Sequence, residues 1–167
     1  MSIRGIYHCP ETQYVSAKQL GFTHVQILNH SHIYPEYSQM KDRIKKAHDI
    51  GLNCIIDPHL FFDINLGMDF LSDAEYSKDD LIYLADEPNL RGYNSILIDE
   101  ANNRVKELIV KRNYAWRTFI SLSPIREINS YNLCSDLVGI SYYDKFIRGV
   151  YRGSLFKLIY KILTFNK

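Results

Sequence analysis

The sequence predicts an α/β fold: an incomplete, barrel-like (β/α) repeat of about six units plus a C-terminal helix, or an open parallel sheet of similar order. Three observations carry this. Short apolar runs recur along the chain, and most of them end in polar or ionisable residues. Amphipathic or loop-like segments separate the runs, several closed by a glycine. The length of 167 residues falls short of the eight strands and about 250 residues that a closed barrel commonly needs.

Taken in order, Ile3 to His8 is the first strand candidate, and Thr12 caps a short helix whose apolar Val15 and Leu20 precede Gly21. Phe22 to Leu28 reads as a second strand. Pro35 suits the first turn of a helix in which Tyr37, Met40, Ile44 and Ala47 keep a three- and four-residue spacing, with Gly51 as its stop. Leu52 to Ile56 is a third strand, ending in Asp57-Pro-His59. The stretch from Leu60 to Asp79 lacks a clean period and is read as a long loop with about one helical turn. Leu81 to Ala85 is uncharged and apolar, as expected of a strand buried on both faces, and Asp86-Glu87-Pro88 follows at its carboxyl end. Pro88 biases Glu87 towards an extended conformation. Ile98, Ala101, Val105 and Leu108 then give a helical stripe capped by Asn94 or Ser95. Trp116 to Leu122, a short helix around Ile128 to Leu133, and a sixth strand from Leu137 to Tyr142 complete the repeat, with Trp116 in a packing role.

Residues 1–167 are read as one domain, since neither a linker nor a low-complexity segment divides them. A formal charge of +1 gives no general attraction to nucleic acid, and no nucleic-acid partner is expected. Cys9, Cys54 and Cys134 have no metal-type spacing and read as reduced, mostly buried thiols, which suits a cytoplasmic location. The N-terminus enters a strand too soon for a signal peptide to be expected. From Lys145 to Lys167 there is no acidic residue, while Leu155, Phe156, Leu158, Ile159, Ile162 and Leu163 form an apolar face edged by Lys157 and Lys161. This basic amphipathic helix (residues 145–167) is expected to cover the open side of the sheet or join a second copy in a homo-oligomer. An anionic membrane surface, making the protein peripheral, is the competing partner.

In parallel α/β sheets the chemistry sits at the carboxyl ends of the strands. Those ends carry His8, Asn29 with His30 and His32, Asp57 with His59, Asp86 with Glu87, Ser121 with Ser123, and Tyr142 and Tyr143 with Asp144. Tyr83-Leu-Ala-Asp-Glu-Pro-Asn89 resembles the end of the fourth strand in (β/α)8-barrel (TIM-barrel) glycoside hydrolases. Gly21-Phe-Thr-His-Val, Gly51-Leu-Asn-Cys-Ile-Ile-Asp and Gly139-Ile-Ser-Tyr-Tyr are similar to other strand openings of such barrels. The resemblance implies a domain that binds or cleaves a carbohydrate or sugar-containing ligand, with Glu87 as general acid/base. Asp86 would then hold a sugar hydroxyl or raise the Glu87 pKa. Tyr143-Asp144 looks like the Tyr-Asp of chitinase-like barrels, which puts Asp144 among the catalytic candidates. His8, Asn29, Asp57, His59, Ser123 and Tyr143 are the candidates for substrate binding, and no cofactor or metal is assigned.

The pattern also departs from that family. Its nucleophile normally comes from a glutamate on the seventh strand, yet the last glutamate here is Glu127 and no seventh strand follows. Two other classes therefore stay open. One is a metal-dependent hydrolase built on His8, His30 and His59 with Asp57 or Asp86. The other is a non-catalytic binding or assembly module that retains the scaffold alone.

Overall fold

The computed structural model describes residues 3–7, 9–27, 36–61, 63–73, 76, 79–122 and 135–140. Within them six strands hydrogen-bond in chain order: β1 (Gly5–Ile6), β2 (His24–Ile27), β3 (Asn53–Ile56), β4 (Leu81–Asp86), β5 (Arg117–Leu122) and β6 (Leu137–Ile140). Every adjacent pair is parallel. A 3-10 turn (Glu11–Gln13) leads into α1 (Tyr14–Gln19), followed by α2 (Tyr37–Asp49), α3 (Ile64–Asp73), α4 (Pro88–Arg91) and α5 (Ser95–Arg112). The α/β class and the parallel order expected from the sequence are thus present. The shape is that of an open sheet.

The central strands β2 to β4 are buried on both faces, which is why Leu81–Ala85 reads as a continuous apolar run. On one face Val25, Ile27, Cys54, Ile56, Ile82 and Leu84 share a core with Met40, Ile44 and Ala47 of α2, Phe70 and Leu71 of α3, and Ala101, Val105 and Leu108 of α5. On the other, Ile55, Leu81 and Tyr83 pack with Ile3, Phe119 and Leu137. That second face is concave. The Tyr7 and Tyr83 rings meet edge to face at 6.3 Å, although a flat sheet would hold β1 and β4 about 14 Å apart at the usual strand spacing.

Three strand pairs are clasped at their amino ends by a side chain from the residue just before an even-numbered strand. Thr23 Oγ1 accepts the Arg4 N–H at 2.9 Å, Asp80 Oδ1 the Cys54 N–H at 2.7 Å, and Asp136 Oδ2 the Thr118 N–H at 2.8 Å. Asp136 also accepts from Thr118 Oγ1 at 3.0 Å and meets Lys106 Nζ at 3.2 Å. Partial burial works against the Asp136 charge, but the Thr118 bonds and Lys106 outweigh it and hold the carboxyl below its ordinary range. Asp136→Ala should therefore cost about 1–3 kcal/mol at neutral pH. A depressed folded pKa stabilises the fold above the unfolded value, so the gap to wild type should be full above about pH 5 and shrink as pH falls below about 4. Urea unfolding across that range checks it.

Several local expectations need correction. Residues 60–79 contain a helix, α3, where a loop was expected. Its Gly67 is a close-packing position: a Cβ there would lie 2.7 Å from the Pro58 carbonyl oxygen and 2.9 Å from Leu60 Cδ2. Asp63 Oδ1 accepts the N–H groups of Asn65 and Leu66, opening the helix as an N-terminal cap does. In α1 it is Tyr14 and Ala17 that are buried, whereas Val15 and Leu20 are 53% and 75% exposed. Thr12 lies inside the 3-10 turn and caps nothing. The first strand is confined to Gly5–Ile6. Asn94 caps α5 as expected, its side chain accepting from the Ile96 N–H at 2.9 Å. Pro35, Cys134, the 128–133 segment and the 145–167 helix lie outside the described residues.

Candidate functional site at the strand carboxyl ends

The turn after β4 departs from the sequence expectation in an informative way. Glu87 is left-handed, φ 45° and ψ 50°, where the residue before proline was expected to be extended. The reason is that β4 runs straight into α4. Asp86 ends the strand, Pro88 opens the helix, and one residue must reverse the chain. The Glu87 N–H donates to the Ser121 carbonyl at 2.9 Å and its carbonyl accepts from the Arg91 N–H at 3.0 Å, so both sides of the strained residue are pinned. Its side chain is buried at 4% exposure, and Oε1 has no hydrogen-bond partner among the described residues.

One step earlier the β4–β5 register shifts between Tyr83 and Ala85. The irregularity sets Ala85 opposite Ile120 on the helix-facing side and Asp86 opposite Ser121. Asp86 thereby joins Tyr83 on the concave side, and Tyr83 Oη donates to Asp86 Oδ1 at 2.8 Å. Arg91 closes the other side of that carboxylate, with Nη2 at 2.8 Å from Oδ2 and Nε at 3.0 Å from the Asp86 carbonyl oxygen. Burial pushes the Tyr83 hydroxyl pKa far up, with Tyr7 and Asp86 adding to the rise. Tyr7 is pushed up to about 12, mainly by burial, with the Tyr83 bond opposing and Asp86 and Asp57 adding.

Beyond β3, Asp57 Oδ1 accepts the His59 N–H at 2.9 Å, and His59 is itself left-handed at φ 54°. The close approach of α3 at Gly67 braces this turn from behind. Burial raises the Asp57 carboxyl, with His59 and its N–H opposing, Asp86 adding and Arg91 opposing. His59 Nε2 is buried without a partner among the described residues. Gln26, opposite Ile55 in the β2–β3 register and 3% exposed, has an unpartnered Oε1. Phe61 and Tyr93 stack at 5.2 Å.

Of the residues expected at the site, the structure brings Asp57, His59, Asp86 and Glu87 to one rim. His8, Asn29, Ser123, Tyr143 and Asp144, like His30 and His32, lie outside the described residues. Sequence reasoning missed Tyr7, Gln26, Tyr83 and Arg91. Gln26 carried a usable signal as the one amide within the run Val25–Ile27. Trp116 is buried, stacked on Tyr114 at 4.0 Å and edge-on to Tyr76 at 4.8 Å, consistent with packing. Among the described residues no helix is long and apolar enough to cross a membrane.

No family model matches the chain, and no curated protein matches it. Among solved structures it is similar to the 3-dehydroquinate dehydratase from Aquifex aeolicus VF5. Identity is 20% and the TM-score 0.43, over 74% of this chain and 54% of that one. The chain thus spans about half the length of that protein, and a likeness of this degree says nothing about activity. The glycoside-hydrolase-like domain with its carbohydrate chemistry, expected from the sequence, is corrected on the family comparison, in which no model of that kind matches the chain. In the structure Asp-Glu-Pro is the joint at which a strand passes directly into a helix through one left-handed residue.

Proposed function

We infer that the curled sheet is the open part of a barrel-like (β/α) domain, and that its strand-end rim binds a small amine-bearing or otherwise cationic molecule beside a proton-transfer group. The observation that carries this reading is the buried Glu87 carboxylate, with Oε1 unpartnered on a backbone held in strain. A buried acceptor left without a donor costs about 1–3 kcal/mol, and strain of this kind gathers at ligand sites. Among the described residues, Asp57, Asp86 and Glu87 put three carboxyl groups near one guanidinium, that of Arg91. Their excess favours a positive ligand, whose N–H groups would meet Glu87 Oε1 and Gln26 Oε1. Asp57, its carboxyl raised by burial, is the group suited to exchange a proton nearer neutrality. The Tyr7–Tyr83–Asp86–Arg91 chain would hold the floor of the site rigid.

The test is calorimetric titration with size-matched primary amines, neutral alcohols and carboxylates, on wild type and Glu87→Gln. Amines should bind preferentially, and Glu87→Gln should weaken them by about tenfold or more, as expected for a hydrogen bond to a charged group. Preference for carboxylates, or equal amine affinity in the two proteins, would overturn the reading.

A further inference from the structure

The opposite end of the sheet holds a second constellation. His48 stands in the last turn of α2, Cys54 near the start of β3, and Asp80 immediately before β4. The Asp80 side chain is fully buried, Cys54 is 0% exposed, and the His48 side chain is 24% exposed. His48 Nε2 faces both Asp80 oxygens, at 3.1 and 3.0 Å, and lies 3.8 Å from Cys54 Sγ. One potential ligand atom from each of the three residues falls within 4.8 Å of the others.

We propose that His48, Cys54 and Asp80 form a transition-metal site, best suited to zinc, with solvent as the fourth ligand. With Zn–N and Zn–O near 2.0 Å and Zn–S near 2.3 Å, tetrahedral ligand atoms lie about 3.3–3.6 Å apart. The two edges from His48, 3.0 and 3.8 Å, lie close to that, and the third falls within 4.8 Å. Imidazole, thiolate and carboxylate together form a donor set that zinc accepts. Asp80 is prepared for it: Oδ1 accepts the Cys54 N–H at 2.7 Å, which holds the carboxylate in place beside the thiol. This is the outer-shell support usual for a ligating carboxylate. A plain His48–Asp80 ion pair would account for two of the groups; the metal site adds the Cys54 sulfur, which lies 3.8 Å from the same imidazole nitrogen. Solvent has a route, because His48 lines a cavity of about 740 Å³ with Asp49, Asn53, Asp73 and Tyr76. Binding requires the Cys54 thiol to lose its proton to solvent, which burial and the Asp80 charge oppose until a cation arrives.

The full chain, stripped with chelator, should take up one zinc per molecule through gel filtration. Cobalt(II) in its place should give the thiolate-to-cobalt charge-transfer band of a four-coordinate site. Cys54→Ser should abolish that band, and His48→Ala should lower zinc affinity more than about 100-fold, beyond the loss usual for outer-shell groups. Substoichiometric zinc in wild type, or a cobalt spectrum without the thiolate band, would overturn the proposal. So would a band unchanged by Cys54→Ser, which would place the thiolate at another cysteine. If Cys54→Ser fails to fold, Cys9→Ser and Cys134→Ser take its place: both should keep the band, and its loss in either would overturn the proposal.

Discussion

Asp80→Ala is expected to destabilise the metal-free protein by about 3 kcal/mol or more, because it strips two buried partners at once. The Cys54 N–H, paired at 2.7 Å, would be left without its acceptor inside the sheet, and His48 Nε2 would lose both carboxylate oxygens. Asp80→Asn keeps an oxygen for the Cys54 N–H and should lose distinctly less. Equilibrium urea unfolding in excess chelator gives both values. An alanine variant within 1 kcal/mol of wild type, taken as about the net worth of one ordinary hydrogen bond, would mean that the clasp contributes little.

Glu87→Gly is expected to act in the opposite direction and raise stability by about 1–2 kcal/mol. A left-handed non-glycine residue costs roughly 1–2 kcal/mol, and a buried unpaired oxygen about 1–3 kcal/mol. Against these gains stand the flexibility of glycine, about 0.5–1 kcal/mol, and the side-chain packing lost. The same variant should lose the amine binding inferred for the rim, so stability and function would part at one residue. Thermal unfolding beside ligand titration measures both. A fall in melting temperature would show that the Glu87 side chain supports the fold, and that its strain has another cause.

Much of the helix-facing half of the molecule could be read from the chain. The stripe Ile98, Ala101, Val105 and Leu108 in α5 is buried as its spacing predicts, because a five-turn helix repeats its period often enough to be recognised. The six residues of α1 do not, and its inward face was assigned to the wrong positions. The stretch from Leu60 to Asp79 lacked a clean period, yet α3 forms there, and its Gly67 lets the backbone lie against Pro58. At the rim, Asp57, His59, Asp86 and Glu87 announced themselves by following apolar runs. Tyr7 and Tyr83 could not, since they meet only because the sheet curls, and curvature joins residues that no local pattern relates. Asp80 was visible only as the boundary of an apolar run. Its clasp reaches 26 residues back, to Cys54.

A sheet covered on both faces has a particular difficulty with alignment. Where one face meets water, slipping a strand by one residue turns its apolar set outward, and hydrophobicity alone enforces the pairing. Here Leu81–Ala85 is apolar and buried at every position, so if β4 slipped it would still present mostly apolar side chains to both layers. The information that fixes the alignment has to come from groups that do not tolerate displacement. Thr23, Asp80 and Asp136 supply it, each matching one peptide N–H on the preceding strand or, for Arg4, just before it, so that three polar side chains act as index marks for the sheet.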